Sequence, residues 1–263
     1  MQSKPVYAFD NAIVRIPCKA IVNGLRAVDI GAPDYTKVLA EHSAYIKALE
    51  EAGLTVQTLS ALDAYPDSMF VEDPALVFTE GAIIMRPGAA SRFGEAAEMA
   101  ATLKQRFARV IDLPGPGYAD GGDILVLRDR VMIGLSDRTN ETGAESLAEC
   151  LKALGKYPVI VRTPANVLHF KSDCSLLDEA TVLSTKRLAV SGVFEGLNVL
   201  YTPDGEEGAA NALRINDHVF VGSAFPQTIA MLKKTGYSVV PLATSEIAKV
   251  DAGLSCMSLR WHA

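Results

Sequence analysis

A thiol, an imidazole and several carboxylates can together open a carbon–nitrogen bond, provided the fold brings them to one place. Here they are far apart in the chain but regularly spaced. Asp73, Asp120, His169, Asn211 and Cys256 follow one another at intervals of 47, 49, 42 and 45 residues, each close to a short apolar run. A cysteine attacks as its thiolate, and a neighbouring imidazole can help form it or protonate a leaving group. Carboxylates beside such a pair suit a guanidinium, whose flat, permanently charged fork pairs bidentately with acidic oxygens. Its central carbon is open to sulfur once both faces are held.

Taken singly, the same residues say less. A cysteine next to a strand is ordinarily a small buried hydrophobe, and a solitary histidine there is ordinarily structural. Asp120-Gly121-Gly122-Asp123 is good turn chemistry without function, a reading that fits Asp123 better than Asp73. Glu72 and Asp73 are more telling, because acids amid Phe70-Val71 and Ala75-Leu76-Val77 are costly to bury unless paired. His42, His218 and His262 do not share the pre-strand position. The acids, His and Cys could also make a zinc site, but their spacing matches no short zinc motif, and no metal is expected.

A period of this length marks supersecondary units that stack or close into a ring. Each unit reads as strand, strand, helix, strand. FVEDPALVF, GAIIMRP, GEAAEMAATLKQRF and ARVIDLP form one; DGGDILVL, RVMIGL, GAESLAECLKALG and PVIVR form the next. Gly155 stands where a helix end favours left-handed dihedrals. LHFKSDCSLL, ATVLST and NVLYTP make a third unit with a poorly marked helix. ANALRIN, HVFVGS, PQTIAMLKKTG and YSVVPL make a fourth. The terminal CMSLRW lacks a following helix, which YAFDNAIVRIP, DYTKVLAEHSAYIKALEEAG and LTVQTL supply from the other end of the chain. Pairing of the terminal strands would close the ring and cover an otherwise exposed edge. A doubly wound parallel sheet is the competing layout, but the tight polar turns TE, RD and ND join antiparallel strands, not parallel ones.

The 263 residues, about half apolar and with a formal charge of −6, fit one soluble domain over 1–263. No basic stripe invites nucleic acid, no apolar run is long enough for a bilayer, and the N-terminus does not read as a signal peptide. Cys18, Cys150, Cys174 and Cys256 show no CxxC spacing, so a reduced, cytoplasmic protein is expected.

Six segments carry a more specific signal: PDSMFVEDPAL, MRPGAASR, DGGDILVL, GLSDRTNETGAE, VLHFKS and TSEIAKVDAGLSCMSLRW, in that order over nearly the whole chain. They resemble the dimethylarginine dimethylaminohydrolases of the guanidino-group-modifying, or pentein, superfamily. The resemblance implies an α/β fold, a five-bladed ββαβ propeller with the active site on its pseudo-fivefold axis. It implies Cys256 as nucleophile, His169 as general acid/base and Asp120 as the acid that orients it. Asp73, with Glu72 and Asp67, would hold the guanidinium; Arg92 (preferred to Arg86) and Arg138 would grip the α-carboxylate. The carbonyls of Leu25 and Val250 would take the α-amino group, and Phe70 would line the pocket. The implied substrate is a small molecule, mono- or asymmetric dimethylarginine, hydrolysed to citrulline without a cofactor by a monomer or homodimer. The alternatives are an arginine or agmatine deiminase of the same fold, and a silent guanidino-compound binder or thiol redox protein.

Overall fold

The short polar turns do join antiparallel strands. In the computed structural model, which describes residues 4–165 and 167–263, β3 (Ala75–Phe78) turns back on β4 (Gly81–Ile84) through Thr79-Glu80. The chain then crosses over through α2 (Phe93–Arg106) and lays β5 (Val110–Asp112) parallel to β4. The pattern repeats with β6 (Ile124–Val126), β7 (Val131–Leu135), α3 (Glu141–Ala153) and β8 (Pro158–Arg162). A third blade holds β9 (Cys174–Leu176), β10 (Thr181–Ser184), α4 (Lys186–Ala189) and β11 (Asn198–Tyr201). The fourth holds β12 (Leu213–Ile215), β13 (His218–Gly222), α5 (Pro226–Lys234) and β14 (Ser238–Leu242).

The fifth blade is assembled from both ends of the chain. β15 (Leu259–Trp261) pairs antiparallel with β1 (Asn11–Arg15), which runs parallel to β2 (Thr55–Leu59) beyond α1 (Tyr35–Glu51). The result is five three-stranded sheets, an α/β-propeller closed by its terminal strands. Local chemistry fixes the element ends. Asp34 Oδ1 accepts from the Thr36 and Lys37 amides to cap α1, and Asn140 Oδ1 accepts from the Gly143 amide to cap α3. Gly155 takes φ +75° just beyond α3, and Asn216 takes φ +50° in the turn between β12 and β13. No helix among the described residues is long and apolar enough to cross a membrane.

Two expectations need adjusting. LHFKSDCSLL is not one strand: residues 170–172 form a 3-10 turn and only Cys174–Leu176 is extended. The cause is Asp123, whose Oδ1 accepts the Phe170 amide at 2.7 Å and pulls the backbone into the turn. Similar turns follow Asp120, precede Asn211 and hold Cys256. The poorly marked helix of the third unit is only the four-residue α4.

The helices pack their apolar faces on their own blades and also against neighbouring ones. Tyr45, Leu49 and Val38 of α1 pack with Phe220 and Ile215 of the neighbouring blade. Phe107, just after α2, meets Trp261 edge-on with ring centroids 5.2 Å apart. Such packing leaves the inner strands β3, β6, β9, β12 and β15 around the axis, with the polar residues that precede them gathered at one end.

Candidate active site

Twelve residues enclose a cavity of about 30 Å³ at that end: Cys256, His169, Asp73 and Asp67, with Leu25, Phe70, Arg92, Arg138, Leu168, Val250, Asp251 and Ala252. Residues from four of the five strand-leading segments therefore act at one place, the fourth being Asp120 directly behind His169. Cys256 lies in a 3-10 turn whose Ser255 amide donates to Asn211 Oδ1 at 3.1 Å. The Cys256 amide donates to the Gly253 carbonyl at 3.3 Å, and the Cys256 carbonyl accepts from the Glu72 amide at 3.1 Å. The thiol is thus placed by backbone contacts with two other blades.

His169 Nε2 lies 3.0 Å from Asp120 Oδ2 and 3.9 Å from Asp73 Oδ1. Asp120 is fully buried and is itself held by the Gly88 amide, which donates to its Oδ1 at 2.7 Å. Both glycines of Asp-Gly-Gly-Asp are required by close approach. A Cβ on Gly121 would sit 2.0 Å from the Glu72 carbonyl oxygen, and one on Gly122 would sit 2.8 Å from His169 Cγ and 2.9 Å from Asp73 Oδ1. The turn is a packing solution for the site.

Asp73 spans two anchors: Oδ1 accepts from the Gly122 amide at 3.0 Å, and Oδ2 accepts from Arg92. Arg92 is almost completely buried. Its Nε and Nη2 donate to Glu95, and Nη2 also reaches the Phe70 carbonyl at 2.9 Å. Of the five N–H groups a guanidinium carries, these contacts leave one on Nη1 for anything entering the cavity. Arg138 is half-buried and lines the same cavity; its amide donates to Ser136 Oγ at 3.0 Å, while its guanidinium makes no hydrogen bond or ion pair among the described residues. Arg86, the rejected rival of Arg92, is exposed and donates to the Gly117 carbonyl away from the cavity.

The electrostatics follow from burial and near charges. Burial pushes the Cys256 thiol up to about 12, and the Glu72 and Asp73 carboxylates push the same way. Burial alone would lower His169, but the charge on Asp73 and the hydrogen bond to Asp120 lift it to about 9. Asp73 lies below the usual carboxylate range because His169 and Arg92 outweigh its burial. Near neutral pH these groups stand as a thiol, an imidazolium and an ionised Asp73. Ligand atoms of Asp73, Asp120 and His169 come within 4.8 Å of one another, close enough to surround a cation. The partners they have in this structure are protein groups: Arg92, two backbone amides and each other.

Glu72 departs from expectation. Its side chain does not line this cavity; Oε1 instead accepts from Lys171 Nζ at 2.5 Å and from Arg260 Nη2 at 2.9 Å. Two partly buried cations turn it away from the place where a guanidinium would be held. His42 is also accounted for: it is buried in α1, and burial lowers it to about 4.

Three contributors were missed. Glu95 fixes Arg92. Asn211 shares the repeat position but had no assigned role; it anchors the Cys256 turn. Asp123, read as turn chemistry, is fully buried and accepts from Ser136, Thr139 and the Phe170 amide, tying the His169 turn to the Arg138 loop. Burial raises it to about 6. An acid immediately ahead of Ile-Leu-Val-Leu was the available signal for it.

Residues 55–198 match the family model described as arginine deiminase. The chain is 37% identical to N(G),N(G)-dimethylarginine dimethylaminohydrolase of Pseudomonas aeruginosa, over 96% of this chain and 100% of that one. It is 32% identical to the enzyme of the same name from Streptomyces coelicolor, over 95% and 96%. Among solved structures, a cysteine-to-serine mutant of the Pseudomonas aeruginosa protein complexed with citrulline superposes with a TM-score of 0.93 at 36% identity, covering 97% of this chain and 100% of that one. A histidine-to-glycine dimethylarginine dimethylaminohydrolase adduct with S-methyl-L-thiocitrulline gives 0.92 at 36% identity, covering 96% and 99%. The chain belongs to the arginine deiminase family and, within it, to the dimethylarginine dimethylaminohydrolases.

Proposed function

We propose that this chain, as a single catalytic domain over 1–263, hydrolyses N-omega-methylated arginines, mono- and asymmetric dimethylarginine, to citrulline and methylamine or dimethylamine. The observation that carries the reading is the meeting of Cys256, His169 and Asp73 in one small cavity. The relatives of this name, solved with citrulline and with S-methyl-L-thiocitrulline, support the same substrate class.

In this reading Asp73 and Asp67 hold the guanidinium, and Phe70 packs on its stem. Arg138, whose guanidinium has no competing partner among the described residues, takes the α-carboxylate together with the remaining N–H of Arg92. The carbonyls of Leu25 and Val250 receive the α-amino group. A guanidinium beside Cys256 offsets the two carboxylates that disfavour the thiolate, so as substrate binds the thiol gives up its proton to solvent and the thiolate forms, while His169 keeps its own proton. Sulfur then bonds to the guanidinium carbon, and His169, held by Asp120, donates its proton to the departing amine as the C–N bond breaks. A thiouronium remains on Cys256. Neutral His169 takes a proton from water, the oxygen bonds to the same carbon, and the C–S bond breaks to release citrulline and regenerate the cysteine. Asp73 and Arg92, fixed before substrate arrives, need no reorganisation during these steps.

A substrate panel tests the reading. Dimethylarginine, monomethylarginine, arginine and agmatine are incubated separately, and citrulline or carbamoylputrescine is measured. Citrulline should form fastest from a methylated arginine. Faster turnover of arginine or agmatine would make the protein a deiminase, and binding without any amine release would make it a silent binder.

A further inference from the structure

Glu41 lies in the middle of α1, is only 7% exposed, and is not among the residues that line the cavity around Cys256. A buried carboxylate is costly unless its oxygens are taken up, and the partners of this one are a hydroxyl and two backbone amides. Ser245 Oγ donates to its Oε1 at 2.9 Å. The Glu246 amide donates to Oε1 at 3.0 Å, and the Ile247 amide donates to Oε2 at 3.0 Å. The two amides stand at the start of the 3-10 turn Ile247–Val250, where N–H groups have no partner within the turn. Glu41 thus caps this turn from a position 205 residues before Glu246.

The last residue of the capped turn is Val250, which lines the cavity together with Leu25. Val250 follows any shift at residues 246–247, because the Lys249 and Asp251 amides donate to the Glu246 and Ala248 carbonyls at 3.2 and 3.3 Å. The grip between helix and turn is mutual. Glu246 Oε2 accepts from the amide of Asp34, the N-cap of α1, at 2.8 Å and from Lys249 Nζ at 2.8 Å. Just past Val250, Asp251 takes φ +53° and its Oδ2 accepts from the Ala27 amide, while Asp67 Oδ1 accepts from the Leu25 amide at 3.0 Å. The segments carrying Leu25 and Val250 are therefore both tied down by carboxylates, in a circuit that closes through α1. Little slack remains between them: a Cβ on Gly24 would sit 2.9 Å from Val250 Cγ1 and 3.0 Å from Asp67 Oδ1.

We propose that Glu41 is a positioning residue for the α-amino end of the substrate. By capping the turn it fixes the Val250 carbonyl where an ammonium group is received, in the reading of the site on which this inference rests. A carbonyl recognises an ammonium only when held at hydrogen-bond distance and angle, since the contact weakens steeply outside them. Glu41 touches neither the substrate nor the reacting atoms, so the grip on the guanidinium and the attack by Cys256 do not depend on it. What it sets is the preference for an amino acid over the same guanidine without an α-amino group.

The full-length enzyme is assayed for methylamine release from monomethylarginine and from its deamino analogue, which keeps the methylguanidine and the carboxylate. Wild type should prefer monomethylarginine in kcat/KM by about 10- to 100-fold, the worth of charge-assisted contacts to an ammonium. Glu41→Leu should cut that preference by about tenfold or more, mainly through KM for monomethylarginine, and leave the analogue within about threefold of wild type. Turnover of the analogue also shows that the variant is folded. Glu41→Asp, whose carboxylate is drawn back by one carbon, should act likewise and replaces Glu41→Leu if that variant does not fold. Glu41→Gln should recover most of the preference, because its carbonyl oxygen can accept from both amides while its NH2 donates to Ser245 Oγ. Equal losses on both compounds, a wild type indifferent to the α-amino group, or a Glu41→Gln no better than Glu41→Leu would each overturn the inference and leave the proposed reaction standing. A wild type that releases methylamine from neither compound would refute the reaction itself, and this inference with it.

Discussion

Replacing Asp120 with asparagine keeps the shape of the contact to His169 and removes its charge. The contact is 3.0 Å long and fully buried, so it belongs with charge-assisted hydrogen bonds contributing about 1.5–3 kcal/mol. At about 1.4 kcal/mol per pKa unit, its loss should lower His169 by roughly 1–2 units. The imidazolium that stands at about 9 in the native site should then titrate well below that value, toward neutrality. Departure of the amine needs protonated His169, so activity is lost as pH rises through that pKa. The basic limb of kcat/KM should move to lower pH in Asp120→Asn while the acid limb stays. A parallel nuclear magnetic resonance titration of the His169 ring should give the same shift. Stability has a matching sign. Because folding raises His169 from 6.5, its contribution is full below 6.5 and is lost as pH rises through about 9. The wild-type Tm should therefore fall more steeply over that window than the Tm of Asp120→Asn. A basic limb that stayed in place or moved upward would refute the role given to Asp120.

Cys256→Ser should abolish turnover yet bind dimethylarginine within a few-fold of wild type, as equilibrium dialysis would show. Arg138→Ala should raise KM by about 10- to 100-fold with a smaller change in kcat, the loss of one charge-assisted contact to the α-carboxylate. Gly122→Ala should fold but lose about 100-fold in kcat/KM, because the added methyl would lie 2.8 Å from His169 Cγ and must displace it. Glu72→Gln should destabilise the protein by about 3–5 kcal/mol in urea unfolding, since Lys171 and Arg260 would lose their shared buried counter-charge.

The ring was legible because its signals are local and repeated. Tight turns such as Asn216-Asp217 announce antiparallel pairs, and helical apolar spacing in GEAAEMAATLKQRF and DYTKVLAEHSAYIKALEEAG marks the crossovers. Cys256, His169 and Asp73 were legible as a repeat, although only ring closure makes neighbours of residues so distant in sequence. Side-chain direction was less legible. Glu72 and Asp73 are adjacent acids in one turn, yet only Asp73 faces the cavity. What separates them is the placement of Lys171 and Arg260, which arrive from other blades and leave no trace near position 72. Asp123 was undervalued for a similar reason: its partners Ser136, Thr139 and the Phe170 amide come from two later segments. The strand length was overread at LHFKSDCSLL because the 3-10 turn over Phe170–Ser172 is imposed by a hydrogen bond to the distant Asp123 carboxylate, which nothing local announces.

The central claim is that Cys256, and no other thiol of the chain, attacks a guanidinium held on the propeller axis. Rapid acid quenching of enzyme turning over dimethylarginine, followed by peptide mass spectrometry, tests it directly. The expected result is an adduct on the Cys256 peptide with the mass of substrate less dimethylamine, absent when His169 or substrate is removed. An adduct on Cys18, Cys150 or Cys174, or steady turnover with Cys256 unmodified at every quench time, would contradict it.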